Sequence, residues 1–269
     1  MQHKKESEYI VAAVVKYNAV WEKVYEALHL KEIELFEDKF VKETVSKISS
    51  SYITMLDEEY PENLKRVPFP PFALFYYGDI SLLKKFDVSL AVIGNRHYSE
   101  YGEKMTRKIV KGVSKKLIIV SGMALGIDSI AADECLKNGG KTIAVLGSGI
   151  DYCYPSSNKW LYDLIKEKGL IVSEYPNDLA PLEGNFPRRN RIIAGLSRNI
   201  LITEARVHSG TSITAHYALG TSDILCVPKR ADEDSLCNKL IKLGAKLVTS
   251  TNDVLEEYER AINDAEFEL

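Results

Sequence analysis

The sequence predicts an α/β protein: an extended Rossmann-like, doubly wound, mostly parallel sheet preceded by a small N-terminal helical domain. Three observations predict it. From Asp87 onward short β-branched runs alternate with helical windows. Several of those runs end in glycine or a small polar residue just where a helix should begin. Residues 7–50 carry charged and apolar positions at helical spacing, without a single glycine or proline. Continuously apolar strands separated by helices imply a parallel sheet covered on both faces.

Taken in order, residues 1–50 form the small helical domain. Residues 51–80 hold Pro61, Pro68, Pro70 and Pro71, and a Pro-Phe-Pro-Pro run neither continues a helix nor fits a central strand. This stretch is expected to be an ordered connector whose aromatics pack on the next domain. In residues 81–251, strands are expected at 88–93, 117–120, 142–146, 170–173, 200–204, 224–227 and 246–249. The remainder, 252–269, is an acidic segment with seven carboxylates against Arg260, too short for a further folded domain.

The strand ends carry the chemistry. Gly94-Asn95-Arg96 follows the first expected strand, Ser121-Gly122-Met123-Ala124 the second and Gly147-Ser148-Gly149 the third. Doubly wound sheets bind ligands at the carboxyl ends of their strands, where glycine lets backbone amides approach a phosphate. The run from Gly184 to Arg198 adds four arginines, Arg188, Arg189, Arg191 and Arg198, around the start of an expected helix. Helix starts attract anions, and guanidinium forks suit phosphate. Phe186 offers a flat face to a base, and Ser209-Gly210-Thr211 places hydroxyls and amides at another helix start. A solvated basic face with Phe186 in the core is the ordinary reading of one such run; several loops on one rim weigh against it.

Composition narrows the class. Hydrophobic content of 45% and charged content of 27% over 269 residues suit a globular fold. The net charge is −3, yet the acidic end segment conceals a locally basic stretch between Gly184 and His216, which fits an anionic ligand held locally. No apolar run reaches membrane-spanning length, and the N-terminus shows no signal h-region, so a cytoplasmic location and no membrane contact are expected. Cys135, Cys153, Cys226 and Cys237 lack C-x-x-C spacing and read as reduced packing cysteines. His3, His29, His97, His208 and His216 form no ligand cluster. No metal and no cofactor are expected.

Three classes of function compete. A dinucleotide enzyme is disfavoured because G-x-G-x-x-G is absent. A nucleotide-binding or nucleotide N-glycosidic-bond-cleaving enzyme of the lysine-decarboxylase-like type would carry Pro-Gly-Gly-x-Gly-Thr-x-x-Glu; here Ser209-Gly210-Thr211 leads to Thr214 where the catalytic glutamate should stand. A binding module for single-stranded nucleic acid needs a basic groove and stacking faces, and no catalytic constellation. Paired carboxylates, a Ser/His/Asp order and a Walker loop are all missing; Asp128 and Asp133 read as capping, solvated helix residues. The non-enzymatic class is favoured.

The ordered motifs resemble the DNA-processing protein A (Smf) family. Asp57-Glu58-Glu59-Tyr60-Pro61-Glu62-Asn63-Leu64, Ser121 to Asp128, Ala144 to Asp151 with Tyr154-Pro155, and Ser173-Glu174-Tyr175 follow the family order. Asn185-Phe186-Pro187-Arg188-Arg189-Asn190-Arg191 is nearly its signature, and the likeness covers roughly residues 52–250. It implies a protein that binds single-stranded DNA, protects incoming DNA in transformation, helps load the RecA recombinase and dimerises. It also implies site residues. Asn95 and Arg96 (Asn95 replacing the usual Ser or Thr), the backbone of Gly122, Met123 and Ala124, and Asn185, Phe186, Arg188, Arg189 and Asn190 would line one DNA pocket with Ser209, Gly210 and Thr211. Lys159 would supply the charge that some relatives place directly after Tyr-Pro. Arg191 divides evenly between DNA contact and an internal pair with Glu174 or Glu204.

Overall fold

The structure, a computed structural model, describes residues 2–177, 179–207, 209–218 and 222–259. His208 and residues 260–269 of the acidic segment lie outside them.

Three helices open the chain: α1 (Gln2–Lys16), α2 (Trp21–His29) and α3 (Asp38–Ser46). Ile10, Val11 and Val14 of α1 and Val24 of α2 form their buried stripe at helical spacing. That stripe shares one apolar cluster with Phe75, Ala144 and Ile171 of the sheet.

The Pro-rich stretch holds more order than a connector. It contributes two strands, β1 (Ser51–Thr54) and β2 (Ala73–Gly78), paired antiparallel. The four prolines all fall between them, so neither strand loses a donor. β2 in turn pairs antiparallel with β6 (Leu170–Ser173).

The other strands are β3 (Ser89–Gly94), β4 (Ile118–Ser121), β5 (Thr142–Val145), β7 (Asn199–Glu204), β8 (Asp223–Cys226) and β9 (Lys246–Leu247). The nine strands run in the order β1-β2-β6-β5-β4-β3-β7-β8-β9, with parallel pairing from β6 through to β9. The sheet is therefore an extended, mostly parallel, doubly wound sheet. All seven expected strands form, each within a residue or two of its expected start.

Side-chain alternation sorts the strands onto two covered faces. Ala91, Ile93, Val120, Val145 and Ile202 pack beneath α7 (Asn185–Gly195), α8 (Gly210–Ala218) and α9 (Leu236–Lys242). Leu90, Val92, Ile119 and Leu201 pack on the opposite side with α4 (Glu100–Val113) and α5 (Ile127–Lys137). α6 (Lys159–Lys168) covers the β2–β6 end. Fully burying one such aliphatic side chain contributes about 1.5–3 kcal/mol, so these faces dominate the stability of the sheet.

The described part of the acidic segment is folded. Ser250 and Asp253 form a reciprocal capping box on α10 (Thr251–Leu255), and the buried Tyr258 donates its hydroxyl to the Ser89 carbonyl at 2.7 Å. All four cysteines are free, with Cys153 alone half-buried and the others buried. No helix among the described residues is long and apolar enough to cross a membrane.

Candidate functional site

β3 and β7 are neighbours whose crossovers leave in opposite directions, β3 leading toward β4–β6 and β7 toward β8–β9. This is the topological switch point of the sheet, where a crevice must open. A cavity of about 530 Å³ occupies it. Asn95 and Arg96 approach from the end of β3, Arg206 and Ser209 from the end of β7, and one face of α7 supplies Phe186, Arg189, Asn190 and Ile193. Those α7 positions follow the i, i+3/i+4, i+7 spacing of a single helix face.

Arg96 is exposed, with its guanidinium carbon 5.9 Å from the Phe186 ring centre. The Tyr154 ring lies 5.4 Å from Phe186. A cation, two aromatic faces and an open mouth thus stand together. Arg206, also exposed, lines the same cavity, and its backbone N–H donates to Asn95 Oδ1 at 3.2 Å. A side recess runs under Arg96 between Leu125, Tyr154 and Phe186, floored by Gly122 and Gly147. A Cβ on Gly147 would come within 2.8 Å of the Phe186 ring, so glycine is required for the ring to lie there.

Arg189 and Asp128 form the floor. The buried Arg189 donates through Nη1 to the carbonyls of Gly122, at 2.9 Å, and Val145. Burial pulls its pKa down to about 10, opposed by the neighbouring Asp128 and reinforced by Arg96. Asp128 is likewise buried and accepts the Gly122 amide at 3.1 Å. Burial raises its pKa, while Arg189 and the amides of Gly122, Ala124 and Gly94 oppose that rise. The expectation of a capping, solvated Asp128 is thereby corrected, as is that of a free Gly122 amide: the carboxylate fills the amide nest itself. Asp133 is also buried, held by Arg107 at 3.3 Å and Lys137 at 2.7 Å.

Other candidate residues lie apart from the cavity. Met123 has a left-handed backbone (φ +55°) and a fully buried side chain, and its carbonyl accepts from Asn158 at 2.9 Å. Lys159 sits at the start of α6, paired with Asp163. Arg188 points toward α2, with Nη2 3.4 Å from Glu22 Oε1. Arg191 is fully buried in a bidentate pair with Glu174, which decides its even division for the internal role. Consecutive residues on a helix project about 100° apart, so the three arginines of α7, at 188, 189 and 191, cannot all share one face. Asn185 leads α7, and its buried Nδ2 has no hydrogen-bond partner among the described residues.

Ser209, Gly210 and Thr211 do reach the cavity, at the first turn of α8. Thr214 lines it as well, so the lysine-decarboxylase-like glutamate position faces the cavity as a threonine. Sequence reasoning missed Arg206 and Tyr154. A signal for Arg206 existed: it lies two residues beyond β7, just as Arg96 lies two beyond β3.

These features define a doubly wound α/β protein with a cationic, aromatic-lined cavity at its switch point, suited to an oxyanion joined to a flat ring. The chain belongs to the DNA recombination-mediator protein A family, whose sequence model matches residues 51–259. It is 42% identical over 237 residues to DNA processing protein DprA of Streptococcus pneumoniae, covering 87% of this chain and 82% of that one. It is 41% identical to Protein Smf of Synechocystis over 81% of this chain, and spans 56% of that longer relative. Among solved structures, the S. pneumoniae DprA crystal structure superposes with a TM-score of 0.78 at 36% identity, covering 95% of both chains. DNA processing protein A of Helicobacter pylori, described for its single-stranded DNA binding mode, superposes at 0.69 and 30% identity over 82% of this chain and 98% of that one.

Proposed function

We propose that this chain binds single-stranded DNA along the carboxyl rim of its sheet, protects incoming DNA, and helps load the RecA recombinase in transformation and recombination. It acts as a cytoplasmic homodimer and as a binding protein rather than an enzyme. One observation carries the reading: the exposed Arg96 and Arg206 line the same open cavity, with the rings of Phe186 and Tyr154 beside Arg96. Cations track a phosphate backbone, and aromatic faces stack on any base, which gives sequence-tolerant binding. The Helicobacter relative's single-stranded DNA binding mode supports the same assignment.

The test is homopolymer oligonucleotide binding across a salt series. Several phosphate contacts give a steep logarithmic slope of roughly −0.7 per phosphate. A shallow slope, together with turnover of a nucleoside monophosphate, would overturn the reading in favour of a nucleotide-cleaving enzyme.

A further inference from the structure

Trp21, Tyr25 and His29 recur at every fourth position of α2, and their rings stack in a ladder. Trp21 and Tyr25 lie 4.9 Å apart at 12°, Tyr25 and His29 5.7 Å apart at 8°. Phe72 continues the stack beneath Trp21, at 5.4 Å and 25°. Such rings ordinarily fill a core, yet here Tyr25 is 47% exposed. Phe69, 51% exposed, stands edge-on to Trp21 at 5.1 Å. Its backbone is left-handed (φ +54°), a conformation bulky side chains rarely adopt. The buried Arg191 holds it there by donating Nε to the Phe69 carbonyl at 2.8 Å. A buried arginine thus keeps a strained, half-exposed residue in place, and such outliers gather at functional sites.

The position of the ladder suggests its ligand. The sheet order β7-β3-β4-β5-β6 makes the carboxyl rim a line, at roughly 4.8 Å per strand. The cavity lies at the β7–β3 end, whereas Glu174, Arg191 and Phe69 mark the β6 end. α7 separates the two, with Phe186 and Asn190 toward the cavity and Arg188 toward α2. Its N-cap residue Gly184 is exposed, and an added Cβ there would meet nothing within 4 Å. The Arg188–Glu22 contact sets α2, and so its rings, beside that same end of α7.

We propose that the α2 ring ladder and Phe69 form a second nucleic-acid contact, a base-stacking platform that extends the bound strand beyond the cavity. This rests on the single-stranded DNA reading above. Glu22 and Glu26 flank the rings on α2, with Lys23 between them and Arg188 on Glu22. Those carboxylates disfavour phosphates there, so bases rather than backbone make the contact. The platform therefore adds affinity without adding salt dependence.

The test uses the intact chain with oligothymidylates of about 4 and about 20 nucleotides. Tyr25→Ala/Phe69→Gly removes two rings, and glycine suits the left-handed backbone at 69. The variant is expected to bind the longer probe about tenfold more weakly, with an unchanged salt slope, and the shorter probe as before. Should Tyr25→Ala disturb α2 in circular dichroism, Phe69→Gly alone is expected to weaken only the longer probe, by about threefold. Unchanged affinity for the longer probe, or equal weakening for both, overturns the platform and leaves the cavity reading intact. A wild-type chain that binds neither probe overturns both.

Discussion

Arg191 and Glu174 meet as two forks inside the protein, Nη1 to Oε1 at 2.8 Å and Nη2 to Oε2 at 2.7 Å, with the arginine side chain wholly buried. The remaining donors reach the carbonyls of Phe69 and Arg188, both at 2.8 Å. One side chain therefore ties the end of β6, the loop before β2 and the first turns of α7. Each partner satisfies the other's buried charge.

Removing one member of this pair should be costly. Arg191→Met leaves Glu174 buried without its counter-charge, and urea denaturation is expected to show a loss of about 3–5 kcal/mol. Arg191→Lys should not restore it, because an ammonium cannot reproduce two parallel bonds and two carbonyl contacts. Adding Glu174→Leu to Arg191→Met should recover part of the loss.

Arg96 and Arg206 should act as phosphate contacts. Arg96→Ala and Arg206→Ala are each expected to weaken binding of a short oligothymidylate and to flatten the log–log salt slope by about 0.7. Arg188→Ala removes only a half-exposed pair with Glu22, and is expected to change short-probe affinity less than about threefold, with the slope intact. Equal slopes for all three variants would show the cavity to be misassigned.

Gly126 should tolerate no side chain. Its φ is +85°, and an added Cβ would lie 2.3 Å from the Asn95 carbonyl oxygen and 2.5 Å from that of Arg96. Both obstacles are backbone, so the loop bearing Arg96 has to move. Gly126→Ala is expected to lower stability by about 1–3 kcal/mol in thermal or urea unfolding and to weaken oligonucleotide binding with it.

Asp253 should impose an acid dependence on the C-terminal end. Amides of Thr249 and Ser250 hold its pKa down to about 2, from an ordinary 3.8. A carboxylate with a depressed folded-state pKa stabilises the fold above its unfolded value and loses that contribution as pH falls through the folded one. The melting-temperature gap between wild type and Asp253→Asn should therefore be full above roughly pH 5 and shrink toward pH 2.

The parallel strands were legible because β-branched runs such as Ser-Leu-Ala-Val-Ile and Ile-Ile-Val stand out between helical windows. β1 and β2 were not, because the Pro-Phe-Pro-Pro segment and the prolines around it draw the eye to a connector and conceal the six-residue run from Ala73 to Gly78. For the site, Gly94 and Arg96 at the end of β3 line the cavity, and Gly122 and Gly147 line its side recess. The arginine run misled, since adjacency in sequence becomes divergence on a helix: Arg189 turns to the floor, Arg188 to α2 and Arg191 to Glu174. Asp128 was misread because nothing local reveals that its carboxylate folds back onto the Gly122 amide.

That carboxylate has a kinetic consequence. A loop of inward-pointing N–H groups with nothing to bind would relax toward water or collapse on itself; Asp128, accepting the Gly122 amide, holds it in shape without a guest. The mouth above then needs little rearrangement to receive a guest. On the proposed single-stranded DNA reading, a pocket held ready in this way favours quick capture and release of the strand.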